Sequence, residues 1–341
     1  MNSFERVVAV LNHELPDCVP AGPVMLMQGA AELGLSLEEY FSRGENLAEG
    51  QLRLWEKFGH DLLCGFPHVV EDITAFGASL MYFRNGPPSA GEMVIRSYDD
   101  AFNLAIPDPA SSPVLNETLR ALHLLAGQVK GEVPIVGACI APFSLPSMLM
   151  GTEMWMELLF IEEPAVRQPV LDHLLNVTLE FCAAWANAQL AAGADVVVLA
   201  DGMSSAAVLT RPQFMDLALP VVRAVVRRID GPVLHEGVGD IVPMVDLLPS
   251  TGVVGLMLTP RDNLSATKTL VGQQLALIGN LNNIEMRRWS PADMTRTAQS
   301  ALAQAAPGGG FILAAQGPEV PLGVSDDVIH ALVHAAHAWR Y

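Results

Sequence analysis

Eight short apolar runs, each followed by a longer amphipathic stretch, constrain this chain more than any other feature. They are VPAGPVML (19–26), DLLCGF (61–66), PIVGACI (134–140), ADVVVLAD (194–201), PVLHEG (232–237), VVGLML (253–258), LALIGN (275–280) and GFILAA (310–315). Gly or Pro bounds most of them, and they lack the polar alternation of a half-exposed strand. That pattern belongs to strands covered on both faces, as in a parallel sheet. Between them apolar residues recur at three and four, as in 166–193 and 211–230, which predicts crossover helices. The expected architecture is therefore α/β, a (β/α)8 TIM barrel. Such a barrel needs roughly 250 residues, so the 341 residues here leave room for an N-terminal helical addition and an insertion around 78–130. No linker, repeat or low-complexity tract divides the chain, so one domain over 1–341 is expected. An open doubly wound sheet is the alternative, but no GxGxxG follows a first strand. The glycines Gly308, Gly309 and Gly310 precede a strand, the wrong place for a phosphate cradle.

Charge removes several classes of partner. With 37 acidic against 19 basic residues the formal charge is −18, a field that repels nucleic acid and offers no handle on an anionic bilayer. The four cysteines, Cys18, Cys64, Cys139 and Cys182, lie far apart without ladder or CxxC spacing, as expected of reduced thiols in a cytoplasmic protein. The first residues carry Glu5, Arg6, His13 and Glu14 where a secretory leader needs an unbroken apolar stretch. The uncharged stretch 133–151 is interrupted by Pro134, Pro142 and Pro146, which suits a buried strand and its loop better than a membrane span.

In a barrel the chemistry sits at the C-terminal ends of the strands. Those ends supply Met27 and Gln28, His68 and Glu71, Phe143 and Ser144, Asp201, His235 and Glu236, Asn280, and Gln316. A carboxylate such as Asp201, ending an apolar strand, is costly to bury without a cation, a donor or a metal; its plain alternative is a helix N-cap. His235 is either a mouth residue or a hydrogen-bonded core histidine. His68 is as compatible with a solvated loop as with a site, and Glu71 with first-turn helix charge. Many methionines, Met148 among them, cluster near strand ends, where they pack or form a soft apolar mouth. The chain has no GxSxG, no Walker lysine loop and no HExxH, since His235 and Glu236 open HEGVG.

Taken in order, these motifs resemble the uroporphyrinogen decarboxylase superfamily, and within it the corrinoid-dependent methyltransferases of the methylcobalamin:coenzyme M type. FERVVAVLNHELPDCVP resembles that family's opening, HVVEDITAFGASL (68–80) its acidic residue before a turn, and APFSLPSMLMG (141–151) its P-F-T-L segment. GADVVVLADGMSS (193–205), GNLNN (279–283) and FILAAQGPEVP (311–321) match later blocks.

The resemblance implies fold readily and activity less directly. Decarboxylases of the family use an Arg after the first strand, an Asp in F-S-D-I and a Tyr in P-W-T-L, without a cofactor. Those places here carry Gln28 or Gly29, His68 and Met148. The methyltransferases hold zinc with His-x-Cys and a distant Cys, so that a thiol substrate becomes a thiolate. His235 is kept, but Gly237 stands at the first Cys position and Pro318 or Gly317 at the second.

The expectation is a corrinoid-linked methyltransferase of altered substrate class, its cobalamin held on a partner protein because the chain has no D-x-H-x-x-G. Either a harder metal site forms from His235, Glu236, Asp201 or His68, or His235 with Asp201 or Glu71 moves protons during demethylation of a methoxy or methylamino substrate. Gln28, Met148, Phe143, Asn280 and Gln316 are the expected substrate contacts. A decarboxylase-like lyase and a non-catalytic corrinoid- or tetrapyrrole-binding protein are the alternatives, and the resemblance admits a homodimer.

Overall fold

The structure, a computed structural model, describes residues 1–317 and 319–341. Pro318, one of the two positions compared with a zinc-binding cysteine, lies outside them. Seven of the eight expected runs become strands of one curled parallel sheet. They are β1 (Leu63–Cys64), β4 (Ile135–Ile140), β5 (Val196–Asp201), β6 (Val233–Gly237), β7 (Gly255–Met257), β8 (Ala276–Leu281) and β9 (Phe311–Ala315), paired in the order β1-β4-β5-β6-β7-β8-β9. Between β1 and β4 an antiparallel hairpin, β2 (Leu80–Phe83) and β3 (Gly86–Ala90), forms the expected insertion. The helix Pro113–Val129, at the end of that stretch, returns the chain to β4.

The first run forms no strand. Pro20 and Pro23 cannot donate to a ladder, and 19–26 makes a single bridge, Ala21 with Leu313. It nevertheless lies against both edge strands. Gly22 N donates to Leu313 O at 2.8 Å and Leu313 N to Pro20 O at 2.9 Å. On its other side Asp61 N donates to Ala21 O at 2.7 Å, and the Gln51 side chain spans from Cys64 N (3.1 Å) to Met25 O (2.7 Å).

The period of two along each strand sorts the core into two layers. Val136, Ala138, Val196, Val198, Leu234 and Ile278 meet inside the curl. Cys139, Val197, Leu199, Leu256 and Leu277 pack outward among helix residues such as Leu174 and Trp185. Each fully buried Leu or Val contributes about 1.5–3 kcal/mol. The long helix Pro164–Ala192 stops at Gly193, whose φ of +128° and close approach to Ala126 Cβ and Leu122 O leave no room for a Cβ.

Only the helix Ser3–Leu11 precedes the first run, so the N-terminal addition is one helix; Gln28–Leu33, Leu37–Phe41 and Gly44–Phe58 follow that run. The Ser3–Leu11 helix is fastened at the N-terminal end of the strands. There buried Asp61 accepts from Ser3 Oγ (2.7 Å), Arg6 (3.1 Å) and Ala21 N (2.8 Å), with His337 Nε2 at 2.6 Å. Among the described residues no helix is long and apolar enough to cross a membrane.

Candidate active site

Inside the curl, toward the C-terminal ends of the strands, lies a cavity of about 390 Å³. Its wall is aliphatic, with Val136, Ala138, Val198, Ala200, Leu234 and Ile278 among the lining residues. Its ionisable groups are Cys64, His68, Glu236 and Glu319, and among the described residues no Lys or Arg lines it. Burial therefore governs their charge. It pushes the Glu236 and Glu319 carboxyls each up to about 7, the Cys64 thiol up to about 12, and His68 down to about 3.

The two carboxyl groups reach the cavity from separate elements. Glu236 projects from β6; Glu319 comes from the segment after β9, and its Oε2 accepts from Met27 N at 3.2 Å. Among the described residues the Glu236 side chain accepts no hydrogen bond. It lies against the backbone of Gly317, where a Cβ would overlap the carboxylate. Glycine at 317 thus makes space for Glu236. His68 stands edge-on to Phe41 (5.2 Å) and Tyr82 (6.5 Å), and its buried Nδ1 has no partner among the described residues.

Asp201 and His235 do come together, with His235 Nε2 at 3.3 Å from Asp201 Oδ2. They meet on the other side of the sheet. Val198 and Ala200 line the cavity, so Asp201 faces outward with Val197 and Leu199; likewise Glu236 faces in and His235 out. Ser144 Oγ donates to Asp201 Oδ1 at 2.6 Å and accepts from Met203 N at 3.0 Å. All three side chains of this network are buried. Its geometry is that of a brace between the ends of β4, β5 and β6.

The other expected site residues are dispersed. Glu71 is buried against Thr118 Oγ1 (2.8 Å), its carboxyl held well above the usual range by burial and by neighbouring Asp72. Phe143 packs on Trp155 with centroids 5.5 Å apart, and Met148 packs against the outer core. Asn280 Nδ2 ties down the carbonyls of Thr259 (2.9 Å) and Asp262 (3.0 Å). Gln316 is half-buried, and neither it nor Asn280 borders the cavity. Gln28 acts at one remove, donating to Val320 O at 2.6 Å and so holding the segment that carries Glu319.

The donor set does not suit thiolate-bound zinc. Gly237 has no ligand atom, the one thiol in the cavity is held protonated, and His235 and Glu236 point to opposite faces of β6. Among the described residues no three His, Cys, Asp or Glu side chains converge as ligands.

The model of the uroporphyrinogen decarboxylase (URO-D) family matches residues 2–339. The chain belongs to that family. Uroporphyrinogen decarboxylase of Nitrosococcus oceani is 25% identical over 304 residues, covering 86% of this chain and 82% of that protein. The relative of the same name from Alkalilimnicola ehrlichii is 27% identical, over 86% and 77%. Among solved structures, a methyltransferase from Methanosarcina mazei superposes with a TM-score of 0.87 over 98% of each chain at 21% identity. That likeness shows a shared fold, and the URO-D family is one of enzymes.

Glu319 and Cys64 are ionisable cavity residues that sequence reasoning missed; Glu319 left the clearer trace. It lies in FILAAQGPEVP, the segment compared above with the family's final strand and loop. Its signal was a carboxylate with Val320 and Pro321 after it, in a segment otherwise apolar.

Proposed function

We propose that this URO-D family member transfers a methyl group from a small, largely apolar substrate bound in the cavity, with Glu236 managing the charge of the heteroatom that loses the methyl. We read the architecture as a (β/α)8 barrel whose irregular first stave is 19–26. The observation that carries the reading is an aliphatic cavity holding two carboxyl groups and, among the described residues, no Lys or Arg. A porphyrinogen, a macrocycle bearing many carboxylates, calls for cations around it. A cavity of about 390 Å³ is sized for a small molecule.

The methyl leaves without its bonding pair, so the heteroatom must depart neutral. An ether oxygen takes a proton, and Glu236, its carboxyl near 7, is placed to give it. An amine must already carry four bonds. Glu236, pressed on Gly317, and Glu319, anchored by Met27 N and by Gln28 through its segment, fix where that atom sits. A corrinoid on a partner protein would supply the nucleophile that accepts the methyl group. The aliphatic wall excludes water, which would otherwise screen the carboxyls.

The test mixes the protein with cob(I)alamin and a panel of methyl ethers, methylamines and methyl thioethers, following the visible spectrum and the demethylated product. Methylation of the corrinoid with at least one donor, lost in Glu236→Gln, is expected. No transfer from any donor, with a corrinoid protein present, overturns the reading. Coproporphyrinogen formed from uroporphyrinogen would favour the reaction named for the relatives, and tight binding without turnover a non-catalytic role.

A further inference from the structure

We infer that the substrate is a small organic cation, an N-methylated ammonium with an apolar body, whose charge is met by the carboxyl groups that line the chamber, Glu236 and Glu319. The inference rests on the cavity being the substrate site and deepens that reading.

Two carboxyl groups enter one aliphatic chamber from independent elements, β6 and the segment after β9. The other titratable groups facing them, Cys64 from β1 and His68 from the segment after it, are neutral. His235, next to Glu236 in sequence, faces away toward Asp201. No Lys or Arg lines the chamber among the described residues; Arg287 lies in the adjoining pocket that Glu319 also borders, His235 pulls the Glu236 carboxyl down less than burial pushes it up, and among the described residues that carboxyl accepts no hydrogen bond.

An anionic ligand would meet two groups of its own sign. A neutral ether uses one proton and leaves the second carboxyl without a role. An ammonium supplies the missing positive charge, offers N–H donors where it has them, and lays its carbon substituents on the aliphatic wall. The raised values of Glu236 and Glu319, both about 7, add that a bound cation would drive off their protons.

The chemistry closes without an external proton. In R2NH+–CH3 the C–N bond breaks with its pair going to nitrogen, and the nucleophile delivered by the partner forms the new bond to carbon. The products are R2NH and the methylated nucleophile. The carboxylates keep nitrogen in the four-bonded form until that moment.

Isothermal titration calorimetry of the full chain tests this. The probes are tetramethylammonium, N,N-dimethylbutylamine and N,N-dimethylbenzylamine, with butyl methyl ether and benzyl methyl ether as matched neutral ligands, at pH 6, 7 and 8. At least one amine should bind about tenfold more tightly than its ether at pH 8. Below pH 7 its affinity should fall by about tenfold per pH unit for each carboxyl that must first lose a proton, and by up to about a hundredfold where both do. Heats measured in two buffers of different ionisation enthalpy should show proton release. Glu319→Gln and Glu236→Gln should each weaken amine binding by at least about tenfold, while Asp293→Asn, at an exposed helix cap, should not.

Amines that never exceed their ethers, or an affinity indifferent to pH, overturn the inference. The wild-type pH and buffer series decides this even where a variant misfolds. Ether demethylation without amine binding leaves the proposed function standing and removes this inference. Amine binding without methyl transfer does the reverse.

Discussion

Replacing Glu236 with Gln should stabilise the fold, and by an amount that depends on pH. The carboxyl rises from its ordinary value of 4.5 to about 7 because burial penalises its charged form. Below pH 4.5 it is protonated in the folded and unfolded chains alike and exacts no penalty. As pH climbs, the unfolded chain loses the proton first, so folding is progressively disfavoured until about pH 7, above which the loss is constant. At 1.36 kcal/mol per pH unit, the interval from 4.5 to about 7 amounts to about 3 kcal/mol. Gln has nearly the same shape and does not titrate. Glu236→Gln should therefore match the parent near pH 4.5 and exceed it by about 3 kcal/mol at pH 8. With a urea m-value of about 3 kcal/mol/M for a chain of this size, the unfolding midpoint should move up by about 1 M at pH 8, read by tryptophan fluorescence. A variant no more stable than the parent at pH 8, or a difference that ignores pH, would mean that a donor or a positive charge holds the carboxylate ionised. The description of the cavity as short of cations would then be wrong.

Three further substitutions probe the surroundings. Gly317→Ala should cost about 1–3 kcal/mol through overlap with the Glu236 carboxylate, measured by urea unfolding, and the double variant with Glu236→Ala should recover most of it. Asp61→Ala leaves Ser3 Oγ, Ala21 N and His337 without their acceptor while Arg6 keeps Asp17 at 2.7 Å, and should lose about 1–3 kcal/mol; hydrogen exchange should show the Ser3–Leu11 helix opening first. Ser144→Ala removes a buried donor from Asp201 and should cost about 1–3 kcal/mol in the same unfolding assay. If Asp201 and His235 are a brace rather than reacting groups, this last variant should leave ligand affinity in the cavity unchanged at 25 °C.

The strand set was legible because burial on both faces writes itself as an unbroken apolar run, and seven of eight such runs pair as expected. The first run misled because its composition is that of a strand while Pro20 and Pro23 remove two donors; beyond two bonds with Leu313, its contacts on the β1 side fall to Asp61 N and the Gln51 side chain. Composition reports burial, whereas ladder pairing needs N–H groups.

The site was harder to read for a similar reason. Position at a strand end does not reveal which face a side chain takes, and one step along β6 separates His235, turned to Asp201, from Glu236 in the cavity. The face follows from the registers of all the strands at once, since Leu199 pairs with His235 and Asp201 with Gly237. Glu319 was hidden further, because what makes it a site residue is a hydrogen bond from Met27 across 292 positions and the support of Gln28 from behind. With Gly317 leaving room, the carboxylate of Glu236 takes the space where a side chain at 317 would project.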